Sequence, residues 1–535
     1  MFQLVKGVLA VLSKVGTALA SKLVACFGCG LKSSVRTYKN KEILTVAKDI
    51  PTYGEVIIEA EAVLVPDGAG QKVIRNASVQ VSNDRIVKVS EERIRSNAKR
   101  IELKGQLLVP GFISGHTHVG CAAPTRAIIE PRRGNYALAL KLMDEDLDDA
   151  ELDAITAFSL ADLIRTGCTT QVEMSLSVRQ AESYARVAER FGARGYPSGM
   201  TPGMGRLYEI WRSAAGPFKV MNDEDFQSYV PGTLAEIEAN LQFGLKWNNA
   251  CDDRIRPMMA AHATDTHTPE TITALIKAAK SLGNGLQIHL AQSVEESEQV
   301  FRRWGLRSVE WVDSLGMFEV PVFGAHMFGA NLHYDPTILA NRDYLFATCP
   351  FDIGVNGNLQ PYPEMLAAGV SCGVGVDAHN MDFIETLKMA VVKGQARHYG
   401  ISTPGVLSRN PMIEDAVLGA TRISADILKR PDLGRIEEGA KADLVSIDVS
   451  GGVVGSGSMS PEPLSNLLYA SGHQVRNVLI DGHWKVFNGE MLFAEAAELN
   501  AASAAATEKI WEKLRAAGYF DTLVPDLPRG KARAE

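Results

Sequence analysis

Residues 108–120 read LVPGFISGHTHVG, an apolar run broken by a Pro-Gly pair and then a short strand-like stretch ending in two histidines one residue apart. Side chains alternate along a strand, so His116 and His118 project to one side while Thr117 points away. Alone, the pair is read as structural as readily as functional. The runs downstream decide between the two.

Seven more short apolar runs follow: TTQVEM, ARGYPSGM, IRPMMAAH, LQIHL, VPVFGAH, YLFATCP and VSCGVGVD, most of them followed by a helix-like segment. With FISGHTH they make eight, the number that closes a (β/α)8 barrel, in which the strand C-termini carry the chemistry. Five of the eight end at a histidine or aspartate: His116 and His118, His262, His289, His326 and Asp377. Of these, His116, His118, His289 and Asp377 form a set of three imidazoles and one carboxylate suited to a divalent metal with a position open for water.

The flanks differ from this middle. VIIEAEAVLVP, ASVQVSNDRIVKVS and KRIELKGQLLVP are short alternating runs separated by Gly, Asn and Asp, and similar runs return in ADLVSIDV and VRNVLIDGHWKVFNGE. The expected α/β architecture is a TIM-like (β/α)8 barrel over 110–430, with a composite β-sandwich built from 51–109 and 431–495. A helical extension and tail, 496–535, and an amphipathic segment, 1–50, complete the chain.

The 535 residues carry a net charge of -8, which argues against non-specific nucleic-acid binding and for a small-molecule partner. Seven scattered cysteines do not suggest a disulfide framework and fit a reducing compartment; Cys26 and Cys29 form a lone CxxC, read as an ordinary pair. The expected state is a cytoplasmic homo-oligomer. In the first thirty residues, Leu4, Val5, Val8, Leu12, Val15 and Leu19 share one helical face against Lys6, Ser13, Lys14 and Thr17. Three readings stay open for this cationic helix: membrane-surface contact, organelle targeting, or an arm packed on a partner subunit.

LVPGFISGHTHVG, LIRTGCTT, QIHLAQ, FGAH, PEMLAAGV, CGVGVD and LGRIEEGAKADLVSIDV, in this order apart from the last flank, resemble the amidohydrolase superfamily. The closest likeness is to the branch that contains chlorotriazine hydrolases, guanine deaminase and S-adenosylhomocysteine-type deaminases. The resemblance spans about residues 54–495. It implies one divalent metal ion, zinc or alternatively iron, on His116, His118, His289 and Asp377. It also implies a composite β-sandwich and hydrolytic chemistry.

A bound divalent cation lowers the pKa of its water from 15.7 toward about 7. Asp377 would accept the proton, and His326 would orient the attacking water or steady the charge that develops. His262 matches a substrate-contacting position of the family; His267, in the same loop, is as readily structural. Deaminases of this branch usually read HxxE where this chain has His289-Leu290-Ala291-Gln292. An amide can donate and accept hydrogen bonds but does not transfer protons at neutral pH. Glu295 and Glu296 fall on the following helix and give no reason to move the shuttle there.

The reading that follows is hydrolysis of a non-peptide C–N bond, of amide, lactam, carbamate, urea or amidine type, in a small cyclic or aromatic molecule. Hydrolytic dehalogenation or deamination of a heteroaromatic ring is the enzymatic alternative. A catalytically silent binding homologue is the alternative outside enzymes. Further candidate contacts are Arg126, with Arg132 and Arg133, Asn356 and Asn358, and His379 just beyond Asp377. The acidic run MDEDLDDAELDA is expected to start a helix and present a solvated face.

Overall fold

A computed structural model describes residues 54–126, 136–213, 223–351 and 359–520. The amphipathic segment 1–50, Cys26 and Cys29, Arg132 and Arg133, Asn356 and Asn358, and the tail beyond 520 lie outside these residues.

Four strands open the described chain: β1 (Glu55–Asp67), β2 (Gly70–Ser82), β3 (Arg85–Ser90) and β4 (Lys99–Pro110). Eight more follow, matching the eight apolar runs: β5 (Phe112–Thr117), β6 (Cys168–Ser175), β7 (Arg194–Gly199), β8 (Met259–Ala263), β9 (Leu286–Leu290), β10 (Val322–His326), β11 (Tyr344–Thr348) and β12 (Cys372–Val374). The last four are β13 (Leu444–Asp448), β14 (Val475–Ile480), β15 (His483–Phe487) and β16 (Glu490–Met491).

Strands β5 to β12 pair in parallel, β5-β6-β7 in one sheet and β8-β9-β10-β11-β12 in another. Every residue of β6, β9 and β11 is buried, as expected of parallel strands covered on both faces. Isolated parallel bridges join the two sheets at both ends, Thr201 with Ala261 and Thr117 with Asp377. The Gln287 side chain of β9 donates to the carbonyls of Glu173 on β6 (2.8 Å) and Tyr196 on β7 (3.4 Å). Ile113, Val172, Tyr196, Phe323 and Leu345, from five of these strands, pack in one apolar cluster.

The helices between strands start and stop where the sequence supplies caps. Helices Val178–Phe191, Pro269–Leu282 and Val294–Trp304 start on Ser177, Thr268 and Ser293 and end on the left-handed glycines Gly192, Gly283 and Gly305. The acidic run starts helix Asp149–Arg165 through a capping box between Asp148 and Glu151. Glu145, Asp148 and Asp149 face solvent as expected, and ion pairs cross the run: Asp153 with Arg186, Asp149 with Arg179, Asp146 with Lys513 and Glu151 with Lys509. The last two partners lie on a single C-terminal helix, Ala496–Ala516, whose Ala506, Ile510 and Leu514 share a core with Leu152 and Ile155. Among the described residues no helix is long and apolar enough to cross a membrane.

Both flanks enter one hydrogen-bonded sheet, in the order β16-β15-β14-β13-β4-β1-β2-β3. Strands β4 and β13 meet antiparallel, Pro110 opposite Leu444 and Gln106 opposite Asp448. The sheet is continuous, and a register shift between Ala60 and Ala62 of the long β1 gives it a place to bend. Ion pairs tie this sheet to the parallel strands. Arg194 of β7, fully buried, donates to Asp443 (2.9 and 3.3 Å) and to Asp481 (2.8 Å), which Arg254 and Lys441 also reach.

Candidate metal centre

The C-terminal ends of β5, β8, β9, β10 and β12 converge on one cluster. His116 and His118 lie side by side, ring centres 4.7 Å apart, while the Thr117 hydroxyl turns away to donate to Val172 O (2.9 Å). The His289 ring lies 4.9 Å from His116 and 5.3 Å from His118. His326 stands 5.4 Å from His116 and 5.2 Å from His289, and His262 stands 5.4 Å from His289. Asp377 Oδ1 is 3.7 Å from His118 Nε2. All six side chains are buried.

Backbone bonds hold this convergence. The Asp377 N–H donates to His116 O (3.1 Å), and the His118 N–H donates to Asp377 O (3.1 Å), so the first strand and the last are locked at the residues that matter. The exits of β9, β10 and β12 pass through left-handed conformations at Ala291, His326, Met327 and Asp377. Non-glycine residues adopt such angles at a cost of about 1–3 kcal/mol each and keep them only where the surroundings enforce them.

Burial, then the neighbouring rings, hold the His116 and His289 pKa values well below the usual imidazole range. Burial lowers His118 and His326 as well, with Asp377 pulling back in both cases. Burial takes His262 down to about 3. The imidazoles are therefore neutral at neutral pH, with lone pairs available. His118 Nδ1 is hydrogen-bonded to Met174 O, which directs Nε2 inward to within 3.2 Å of His289 Nε2. The buried His116 Nε2 makes no hydrogen bond with the described residues. A buried nitrogen without a partner, among facing lone pairs and one carboxylate, fits a divalent cation. The donor atoms of His116, His118 and His289 all lie within 4.8 Å of one another.

The other candidates divide. His267 is satisfied at both nitrogens, by Thr271 Oγ1 (3.0 Å) and Thr201 O (2.7 Å), and ties its loop together. His379 is buried next to Thr125 Oγ1 (3.1 Å). Arg126 donates to His379 O (3.1 Å) and Asp162 (3.3 Å) on the exposed side of its short helix. Gln292 is half-buried on the exit loop of β9.

Two carboxylates hold the site from behind: Glu173, which the sequence reading does not name, and Glu296, which it names only to set aside as a proton shuttle. Glu173 of β6 accepts from the Val119 N–H (3.0 Å) and Ser175 Oγ (2.9 Å), fixing the turn after His118; burial pushes it up to about 7. Glu296 accepts from the N–H groups of Ala291 (3.2 Å), Gln292 and Thr264 (3.1 Å), and from the Thr264 hydroxyl. It therefore ties the exit loop of β9 to that of β8; burial, then the Asp265 carboxylate, pushes it up to about 8. The Ser293-x-x-Glu296 spacing is a capping-box signature. The Ser293 half of that box forms, with Glu296 N donating to its hydroxyl (3.1 Å), but the glutamate reaches past the cap to the loop.

A sequence profile of the Amidohydrolase family matches residues 107–485. The chain is 27% identical over 405 residues to the 5-methylthioadenosine/S-adenosylhomocysteine deaminase of Pelotomaculum thermopropionicum, covering 74% of this chain and 84% of that one. It is 23% identical over 471 residues to the 5'-deoxyadenosine deaminase of Methanosarcina acetivorans, covering 85% and 98%. Among solved structures, an adenosine deaminase from Xanthomonas campestris with bound zinc superposes with a TM-score of 0.67 at 21% identity, over 85% of this chain and 98% of that one. The atrazine chlorohydrolase of Arthrobacter aurescens complexed with zinc gives 0.69 at 18%, over 84% and 100%. The match of the family profile, together with this histidine and aspartate cluster at the strand ends, establishes that the chain belongs to the amidohydrolase family.

Proposed function

We propose that this amidohydrolase cleaves a non-peptide C–N bond of a small heteroaromatic molecule, with His116, His118, His289 and Asp377 holding one divalent metal ion. The convergence of three neutral, buried imidazoles, one of which, His118, stands 3.7 Å from Asp377 Oδ1, carries the reading. The cation is zinc, with iron as the alternative; two solved relatives of this fold hold zinc. When bound, the cation acidifies water and so supplies the nucleophile at neutral pH.

The chain's own residues do the rest. Asp377 accepts the proton of the attacking water at its carboxylate, 3.7 Å from His118 Nε2. His326 orients that water from the end of β10 and steadies the charge that develops. His262 at the end of β8, and Gln292 and His379 on the loops beyond β9 and β12, contact the substrate, with Arg126 at the rim. The buried setting of Asp377, His326, His262 and His379 strengthens their interactions by excluding bulk water.

The curated relatives are named as deaminases of adenosine derivatives, which favours an amino- or alkylamino-substituted ring as substrate. Gln292 favours a second reading, because an amide does not protonate a departing amine. Halide or another activated ring substituent leaves without that help. The test is a zinc-loaded assay against amino-, alkylamino- and halo-substituted purines and triazines, with lactams, carbamates and ureas beside them. Release of ammonia or amine supports the first reading and release of halide alone the second; protein with a full metal complement and no turnover overturns both.

Residues 110–430 form one closed (β/α)8 barrel, supported by the two bridges, the Gln287 bonds and the shared interior cluster. Residues 51–109 and 431–495 form one composite β-sandwich domain, and the enzyme is a cytoplasmic homo-oligomer.

A further inference from the structure

We propose that His326, Cys349 and Asp377 form a second cation site beside the first, one that takes a thiophilic divalent ion such as cadmium or excess zinc through the Cys349 sulfur. His326 ends β10, Cys349 directly follows β11, and Asp377 lies just past β12. They are 1%, 1% and 5% exposed, and their donor atoms all lie within 4.8 Å of one another. Donors around a tetrahedral zinc stand about 3.5 Å apart, so side-chain rotations of modest size bring these three into range. A nitrogen, a sulfur and a carboxylate oxygen make a softer set than His116, His118 and His289.

The surroundings hold Cys349 in place. Gln360 clamps its backbone from both sides, accepting the Cys349 N–H at Oε1 (2.7 Å) and donating from Nε2 to Cys349 O (3.0 Å). Thr348 Oγ1 donates to the same Gln360 oxygen (3.0 Å). Gly375 leaves room for the sulfur, since a Cβ there would stand 3.0 Å from Cys349 Sγ and 3.0 Å from His116 Cβ. The thiol's bond to Ala347 O is long, 3.6 Å, and costs little to give up. Asp377 belongs to both donor sets. An ion in the second site therefore takes the carboxylate away from the attacking water, an inhibitory consequence that rests on the function proposed above, whereas the binding itself does not.

The test uses the full chain carrying Cys26→Ser and Cys29→Ser, loaded with one equivalent of zinc and titrated with cadmium chloride. About one equivalent of cadmium should bind with the zinc retained, with sulfur-to-cadmium absorption in the ultraviolet. Cys349→Ser should remove that absorption and lower the cadmium count by one. Absence of the absorption, or its persistence in Cys349→Ser, overturns the proposal. X-ray absorption at the cadmium edge, which needs no variant at Cys349, should show one sulfur neighbour; nitrogen and oxygen neighbours alone overturn it. His116→Ala should lose the zinc and keep the sulfur-to-cadmium signal, and loss of that signal places cadmium in the first site and overturns the second. A parent chain that takes up no zinc yet gives a Cys349-dependent signal refutes the proposed function and leaves this inference standing.

Discussion

His118 and Asp377 are joined twice, by a backbone bond from the His118 N–H to Asp377 O of 3.1 Å and by a side-chain approach of 3.7 Å between Nε2 and Oδ1. The backbone bond fixes the distance between the first and last strands, so the side-chain approach does not depend on a metal to draw it together. The carboxylate is thus preorganised for its task.

Asp377→Asn keeps the shape and the backbone bond but removes the proton acceptor. Turnover should fall by roughly 10²- to 10⁴-fold, the usual range for a lost general base. Elemental analysis should still find partial metal. Undiminished turnover would remove Asp377 from the role of base.

Metal binding and folding are linked through the buried imidazoles. Zinc at a hundred times its Kd should stabilise the chain by about 2.7 kcal/mol over the chelated form, read as a rise in melting temperature. His116→Ala should abolish the difference; a variant that still responds to zinc in full would show that the ion sits elsewhere.

Gln292→Glu places an acid three residues after His289. If the side chain faces the departing group, ammonia-releasing substrates should gain relative to halide-releasing ones, with a new acidic limb in the pH profile. Equal effects on both leaving groups would show that position 292 lies apart from the bond being broken.

Glu296→Ala leaves the N–H groups of Ala291, Gln292 and Thr264 without their acceptor. Each buried group left unpaired costs on the order of 1–3 kcal/mol, so urea denaturation should show a loss of about 3 kcal/mol or more. KM should rise more than kcat falls, since the loop carrying Gln292 and the one that leaves β8 just after His262 are the ones released. A stability change under about 1 kcal/mol would contradict this support role.

His267 is held down to about 4, by burial first, with its bond to Thr201 O opposing. Its folded pKa lies below the unfolded value of about 6.5, so the unfolded chain binds the proton first. Its contribution to stability is therefore complete above about pH 6.5 and is lost as pH falls toward 4. The melting temperature of wild type minus that of His267→Gln should shrink across this window; a constant difference would show that His267 does not titrate there.

The eight apolar runs were legible as strands because parallel strands buried on both faces leave their mark as uninterrupted hydrophobicity, and all eight form. The cluster of His116, His118, His289, His326 and Asp377 was legible for the same reason, each side chain standing at a strand end. Glu296 was not, because its role depends on the left-handed turn at Ala291, which brings a helix residue back under the preceding loop. Cys349 reads in the sequence as one more scattered cysteine; the structure holds its backbone on Gln360 and groups it with His326 and Asp377. The acidic run starts its helix as read, but two of its partners, Lys509 and Lys513, lie about 360 residues away and could not be matched to it from the sequence.

Strand β4 must wait for β13. Gln106 and Ser446, whose side chains bond across that pairing, are 340 residues apart, which at ordinary rates of synthesis separates them by roughly 20 to 70 seconds on the ribosome. Until then β4 lacks its neighbour on that edge, and Arg194, once made, still waits for Asp443 and then Asp481. Nascent chains of this protein are thus exposed to edge-to-edge association until residue 448 has emerged, and mistimed synthesis endangers its yield before it affects its chemistry.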